Sequence, residues 1–307
     1  MNTVLDLGTK HLRALSFDKK GTTDFQLIGT SLNQRKEFDL SLFFKDYEKL
    51  LNSSKLDFLK NSVIDCLLPS SFFNYQINIS DKKSKDYSYD IKTDKYYQFN
   101  VHLDQNLQTK TNSLFSLFQI EIDYLGSSLI CDLQEVLDIS KTNHQLYFFA
   151  NLSHSSLYFF TIRNGIILNF SQNEHLCSKN LDSFLNDEIL IENKNPFNEK
   201  LLFLPSIHKV QNQVSDFKKL SPYLKKLLSF FHEIIQEQED YLKSSVDEII
   251  LSGGGFQFKY FNQFIQQMTL YSCQKLSSTT LKQENLDKEL LYSPLLHFYN
   301  RRKSGLT

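Results

Sequence analysis

Three consecutive glycines, Gly253, Gly254 and Gly255, follow an apolar run in a chain that has only 9 glycines among 307 residues. The run Glu248–Leu251 predicts a strand, and the residues from Phe261 onward have the spacing of a helix. Because glycine has no Cβ and adopts positive φ at little cost, its backbone can lie close to another group. The segment predicts a strand-to-helix turn against which a flat ligand or a phosphate can lie. A tight turn needs glycine even without a ligand, so both interpretations stay open.

A second motif, Asp6-Leu7-Gly8-Thr9-Lys10, stands between two apolar runs near residue 1. The pattern predicts a β-hairpin followed by a third strand over Phe25–Ile28. In such a hairpin the amides of Gly8 to Lys10, the Thr9 hydroxyl and the Lys10 ammonium can converge on phosphate oxygens. Asp6 ends the strand, where its carboxylate can hold a hydrated Mg²⁺ ion through water. An ordinary hairpin with polar turn residues explains the same pattern equally well.

A similar strand–turn–strand pattern occupies residues 146–167. Two apolar runs flank the polar turn Asn151-Leu152-Ser153-His154-Ser155-Ser156, and the pair Asn164-Gly165 predicts a tight turn into a further strand. Taken together, the two hairpins and the glycine segment resemble, in order and separation, the actin-like ATPase superfamily, and within it the PilM and FtsA families.

The resemblance implies an α/β fold of the actin-like, ribonuclease H-like kind, with two domains, mixed sheets flanked by helices and a nucleotide cleft between the domains. It implies ATP and Mg²⁺ as cofactors, with Asp6 reaching the metal through water. No catalytic residue is identified. The residues that it implies as nucleotide-binding are Asp6, Gly8, Thr9, Lys10, Asn151, Ser153, Ser155, Glu233, Glu237, Gly253, Gly254 and Gly255.

Two departures from the superfamily pattern lie in the second hairpin. Where the superfamily has Asp and Gly, this chain has Asn151 and Ser153. Asn151 accepts a hydrogen bond from metal-bound water but adds no charge, and Ser153 adds a Cβ where the backbone passes close to a phosphate. Both changes weaken metal and phosphate binding. The sequence therefore allows that ATP and Mg²⁺ have both been lost while the fold persists as a scaffold.

The order of the predicted elements gives the expected domains. Residues 1–143 form the first actin-like domain, with a shortened inserted subdomain at about 70–124 whose layout resembles PilM. Residues 144–307 form the second domain and end in a closing helix. The charged tract Ser80–Asp86 predicts an exposed loop within the insertion. Ser221-Pro222 predicts the N-terminus of the helix that carries Glu233 and Glu237.

Charge and cysteine content argue against several classes of protein. The formal net charge is -1, so no basic excess suggests nucleic-acid binding. The 4 cysteines are scattered without metal-ligand spacing and no secretory signal is present, which favours reduced thiols and a cytoplasmic location. No apolar run has the length of a membrane span. The basic cluster Arg301-Arg302-Lys303 alone would bind anionic lipid weakly.

The first functional hypothesis is a PilM-like cytosolic scaffold of a type IV pilus or related secretion assembly platform. The resemblance implies ATP binding with weak or no hydrolysis, at most a slow ATPase, and attachment to the inner membrane through the short cytosolic tail of a PilN-like protein. The alternative is an FtsA-like cell-division homologue that forms filaments at the membrane, and self-association stays open. A small-molecule kinase is disfavoured, because no Asp suited to deprotonating a substrate hydroxyl is identifiable.

Overall fold

The computed structural model describes residues 2–8, 12–17, 23–27, 40–52, 54–178, 180, 214–256, 261–276 and 289–305. The strands in these ranges are β1 (Asn2–Leu7), β2 (Leu12–Phe17), β3 (Thr23–Leu27), β4 (Val63–Leu68), β5 (Phe73–Ser80), β6 (Ser88–Asp90), β7 (Lys95–Leu103), β8 (Glu121–Ser127), β9 (Leu146–Leu152), β10 (Leu157–Arg163), β11 (Ile166–Asn173), β12 (Glu248–Ser252) and β13 (Ser272–Lys275). The α-helices are α1 (Leu40–Leu51), α2 (Gln105–Ser116), α3 (Ser128–Asn143), α4 (Val214–Leu242), α5 (Phe261–Thr269) and α6 (Glu289–Ser304).

The chain divides into two compact units. The first comprises Met1–Asn74, Val101–Cys131 and Pro294–Thr307, and the second comprises Tyr75–Asn100 and Asp132–Ser293. The predicted domains, residues 1–143 and 144–307, stay a prediction beside this division by compactness. Residues 75–100 of the insertion, which contain β6 and most of β5 and β7, belong to the second unit, and most of α6 belongs to the first.

Each unit contains a five-stranded sheet, and the two sheets share one topology. The strand order is β3-β2-β1-β4-β8 in the first unit and β11-β10-β9-β12-β13 in the second. In each sheet, three consecutive strands form an antiparallel meander, β1-β2-β3 in the first unit and β9-β10-β11 in the second. The other two strands lie on the outer side of the meander's first strand and run parallel to it. The end of β1 therefore lies beside the end of β4, and the end of β9 lies beside the end of β12. Both predicted hairpins are confirmed, as is the tight turn at Asn164-Gly165, where φ is 53° and 74°.

The core of the first unit forms between its sheet and α1. The sheet contributes Leu5 and Leu7, and α1 contributes Phe43 and Tyr47, all of them buried. These helix positions recur one turn apart, so they lie on one face of α1. The Phe43 ring centroid lies 4.6 Å from that of Tyr47 and 5.0 Å from that of Phe72.

Both faces of the second unit's sheet are covered, which explains why β9 and β10 read as unbroken apolar runs. On one face, the Phe159 ring centroid lies 5.1 Å from that of Phe231 in α4. On the other, Tyr158 and Phe160 each lie 5.9 Å from an aromatic ring of the insertion, Tyr75 and Phe99 respectively. Those two rings belong to a three-stranded sheet of order β5-β7-β6. The insertion thus packs on β10 through edge-on aromatic contacts.

A buried ion pair joins the insertion to β10. Arg163 donates from Nε to Asp90 Oδ1 at 2.9 Å and from Nη2 to Asp90 Oδ2 at 2.6 Å, and the two side chains are 1% and 0% exposed. The Thr93 amide and hydroxyl also donate to Asp90 Oδ2. Burial alone would raise the pKa of Asp90, but the hydrogen bonds from Arg163 and Thr93 outweigh it and hold that pKa below its ordinary value.

One helix boundary differs from the sequence prediction. The predicted start at Ser221-Pro222 is wrong, because α4 begins at Val214 and contains Pro222. Tyr223, Leu224 and Leu227 follow the proline and are buried in the core. Tertiary packing therefore holds this part of the helix although Pro222 lacks an amide donor. The exposed charged loop is confirmed at Asp81–Asp86, whereas β6 and β13 were not predicted.

We expect Asp90→Asn to lower the free energy of unfolding of the second unit by about 3–5 kcal/mol, because it leaves a buried guanidinium without its counter-ion. A carboxyl whose pKa is lowered in the fold stabilises it above its unfolded pKa of about 4 and loses that effect as pH falls through the lowered value. The free energy of unfolding of the variant should therefore also fall less steeply with falling pH than that of the natural chain. Urea titrations followed by circular dichroism at several pH values measure both effects.

Asp94→Asn is the matched control, since Asp94 lies on the same hairpin, is exposed and accepts only a surface hydrogen bond from Tyr89 at 2.7 Å. It should leave the unfolding midpoint nearly unchanged. Equal effects of the two substitutions would contradict a special role for the buried pair.

Candidate functional site

Asp6 is the last residue but one of β1 in the first unit and is completely buried. Its carboxylate forms an ion pair with Arg13, which is its direct register partner on β2. The guanidinium compensates the charge of the carboxylate inside the sheet. A divalent cation would therefore meet a carboxylate that already has a counter-ion.

Gly8 follows β1 and is joined to helix α1 by a hydrogen bond. The Tyr47 hydroxyl donates to the Gly8 carbonyl at 2.7 Å. Burial, together with the nearby Asp6 charge, raises the pKa of Tyr47 well above its ordinary value, so the phenol keeps the proton that it donates. Thr9 and Lys10, both predicted to bind phosphate, lie outside the described residues.

The turn between β9 and β10 is closed by Ser153. Its amide and its hydroxyl both donate to the Ser156 carbonyl, at 3.0 and 2.8 Å, and the Ser156 amide donates back to the Ser153 hydroxyl at 3.2 Å. The side chain that replaces the superfamily glycine is thus used inside the turn. Ser155 lies in the same turn and is half-buried.

The three glycines after β12 differ in what surrounds them. Gly253 has φ +90°, and a Cβ there would lie 2.6 Å from the Leu152 carbonyl oxygen. A Cβ on Gly255 would lie 2.4 Å from Leu152 Cγ. Among the residues that the structure describes, a Cβ on Gly254 would meet no atom within 4 Å, and the residue is exposed. Packing against the hairpin explains Gly253 and Gly255, but not Gly254.

A buried polar chain links the second hairpin to the glycine turn. Asn151 donates from Nδ2 to Ser252 Oγ at 3.2 Å, and the Ser252 hydroxyl donates to an Asp132 carboxylate oxygen. Asn151 was predicted from the sequence, whereas Ser252 and Asp132 were not. Only the position of Ser252, directly before the glycines, could have indicated its role.

The helix predicted to face a ribose carries Glu233 and Glu237 on an exposed face of α4. Glutamates that are merely solvated occupy the same kind of exposed position, so the contact of Glu233 and Glu237 with a nucleotide stays a prediction. Gln238, the next residue, is buried, and its Oε1 has no hydrogen-bond partner among the described residues. It is the polar group of this helix that faces inward.

Within the described ranges, no cluster of three His, Cys, Asp or Glu residues is arranged to hold a metal ion. Asp6 is paired with Arg13, and Asn151 contributes an amide instead of a carboxylate. These residues do not fit a strong Mg²⁺ site, and metal binding by Asp6 through water stays a prediction. The backbone at Gly254 is exposed, and its contact with a flat ligand stays a prediction.

The remaining sequence expectations concern thiols and membranes. All 4 cysteines are free and buried. Across the part of the chain that the structure describes, no helix combines the length and apolar character needed for a membrane span.

Comparison with known proteins gives similarity in structure only. No protein-family model matches the chain, and no curated protein sequence matches it. A structure of a PilM–PilN type IV pilus biogenesis complex matches 100% of this chain and 98% of its own, with a TM-score of 0.69 and 9% identity. The ethanolamine utilization protein EutJ from Carboxydothermus hydrogenoformans matches 96% of this chain and 88% of its own, with a TM-score of 0.50 and 10% identity.

MreB5 of Spiroplasma citri bound to ADP matches 99% of this chain and 96% of its own, also with a TM-score of 0.50 and 10% identity. At such low identities the similarities concern the fold. They agree with the duplicated five-stranded sheets and with the hairpins at the start of each. The chain has the actin-like ATPase fold, as the sequence motifs predicted.

Proposed function

We propose that this chain is a PilM-like cytosolic scaffold of a type IV pilus or related secretion assembly platform, which binds ATP with weak or no hydrolysis and recruits an inner-membrane partner. The observation that carries the proposal is the similarity to a PilM–PilN structure over the whole length of the chain. The similarity to ADP-bound MreB5 supports nucleotide binding in general.

The glycine turn is the part of the proposed nucleotide site that the geometry supports best. Gly254 offers exposed backbone to the base, and its two neighbours are held against Leu152. The residues that we assign to phosphate binding are Asp6, Gly8, Thr9, Lys10, Asn151, Ser153 and Ser155. Glu233 and Glu237 are assigned to the ribose. When bound, ATP would supply a triphosphate for the two hairpins to hold.

Weak hydrolysis follows from the charges around these hairpins. Arg13 compensates Asp6, and the Ser153 hydroxyl closes its own turn. Neither hairpin therefore presents an uncompensated carboxylate that could gather a metal ion and a water molecule next to a phosphate. Binding without efficient turnover suits a scaffold, because the bound state persists.

Attachment through a partner is favoured by the role of Arg302 in the first unit. Its guanidinium donates from Nη2 to Asp65 at 3.1 Å and also contacts Asp123. Burial raises the pKa of Asp65, and Arg302 partly opposes that rise. One member of the basic cluster is thus already held in ion pairs with carboxylates of the same unit. Direct lipid binding, as in the FtsA-like alternative, would have to compete with this contact.

The first test concerns the glycine turn. Gly254→Phe should leave the protein folded, because no atom of the described ranges lies within 4 Å of the added Cβ, and should abolish ATP binding measured by calorimetry. The matched substitution Gly255→Ala should instead destabilise the fold, since its Cβ would overlap the Leu152 side chain. Unchanged ATP affinity in folded Gly254→Phe would show that the glycines serve the turn alone.

The second test concerns turnover. With saturating ATP and Mg²⁺, we expect phosphate release far slower than about 1 per second, the low end of ordinary enzyme rates. A coupled phosphate assay on the purified protein measures it. Sustained release at or above that rate would overturn the scaffold proposal and favour an active ATPase.

The third test concerns the membrane. The purified protein should stay in the supernatant with anionic liposomes at physiological salt, where the attraction of a few surface charges is screened. It should sediment with liposomes that display the cytosolic tail of a PilN-like protein. Arg301→Gln should change neither result. Sedimentation with bare liposomes that Arg301→Gln abolishes would favour the FtsA-like alternative.

A further inference from the structure

Three buried side chains from distant parts of the second unit meet where β9 and β12 end. Asn151 and Ser252 are direct register partners in the parallel pair of strands, and Asp132 comes from α3. Their exposed fractions are 5%, 0% and 0% respectively. The sequence motifs assign no role to Asp132.

While Asp132 is ionised, the two hydrogen bonds that join Asn151, Ser252 and Asp132 can run in one direction only. A carboxylate only accepts, so the single hydroxyl proton of Ser252 must point to Asp132. The Ser252 oxygen can then only accept from Asn151, whose Nδ2 lies 3.2 Å away. The Asn151 amide is thereby oriented, with Nδ2 toward Ser252 and Oδ1 directed away from it. The positions of the nitrogen and oxygen atoms of the Asn151 amide are thus assigned from the hydrogen-bonding partners and not from visible hydrogen atoms.

The Ser252 hydroxyl has one proton, so it can donate to one carboxylate and not to two at once. A second carboxylate at position 151 would be buried beside Asp132 without that donor, and two such charges disfavour each other strongly. The acidic group is therefore on helix α3, and the hairpin end is neutral.

We propose that Asp132 is a positioning residue that sets the second hairpin for ligand binding. Through Ser252 it orients the Asn151 amide and fixes the residue that precedes Gly253. A phosphate at the hairpin then meets a neutral group and not a carboxylate, so its binding needs no neighbouring cation. This role deepens the proposed function and rests on nucleotide binding at these loops.

A charge swap tests the contact itself. Asn151→Asp alone should strongly raise the equilibrium constant of unfolding. Combining it with Asp132→Asn should lower that constant again by at least about tenfold, because the same hydrogen bonds then run in the reverse direction. If the single variant does not fold, a folded double variant is itself the recovery. Asp138→Asn is the matched control on α3, since Asp138 is 39% exposed, and it should not rescue Asn151→Asp. A double variant no more stable than the single one would overturn the proposal.

Nucleotide affinity separates positioning from mere structure. In EDTA, ATP should bind the swapped variant at least about tenfold more weakly than the natural chain, because a carboxylate now faces the phosphates, and MgCl₂ should restore most of the loss. A network that only stabilises the fold would recover stability and affinity together. Equal ATP affinity of the swapped and natural chains in EDTA would therefore overturn the positioning role.

The two readouts distinguish failure of this inference from failure of the proposed function. If the natural chain binds no ATP in either buffer, the proposed function is wrong and the positioning role falls with it. The unfolding cycle still decides, without any nucleotide, whether Asp132 and Asn151 are coupled through Ser252.

Discussion

The backbone of Gly253 and Gly255 approaches Leu152 more closely than any side chain would allow, and the candidate site of the second unit depends on this contact. Leu152 is the last residue of β9, so the contact fixes where the strand-end loops of β9 and β12 meet. It also holds Ser252 in register with Asn151. A steric requirement of two glycines thereby determines the geometry of a polar network that involves neither of them.

The same sheet topology carries two different electrostatic solutions. In the first unit, a buried carboxylate at the end of β1 is balanced by an arginine on the adjacent strand. In the second unit, the end of β9 has a neutral amide, and the nearby charge of Asp132 is satisfied by a hydroxyl. Both solutions avoid an unpaired buried charge, which would be costly. Loss of a charge from a hairpin is therefore compatible with keeping the fold.

Local chemistry predicted much of this structure. Gly8, Asn164-Gly165 and Gly253 each mark a turn whose geometry depends on a few neighbouring residues, and all three turns lie where the sequence indicated. The start of α4 was missed because packing of Tyr223 and Leu227 outweighs the preference of Pro222 for a helix end. The Asp132–Ser252 and Asp90–Arg163 contacts join residues 120 and 73 positions apart. Such pairs follow from the three-dimensional register of the strands, which no local pattern contains.

The contacts of Arg302 have a consequence for how the protein forms in the cell. Arg302 and Asp65 are separated by 237 positions, and the first unit is assembled from three separate stretches of chain. A ribosome adds about 5–20 residues per second, so the early strands wait on the order of ten seconds or more for α6. During that interval the acidic pair Asp65 and Asp123 lacks its arginine, and Tyr124 lacks the Phe298 ring that lies 4.9 Å away in the finished fold. The first unit is thus complete only once its last stretch, Pro294–Thr307, has been synthesised.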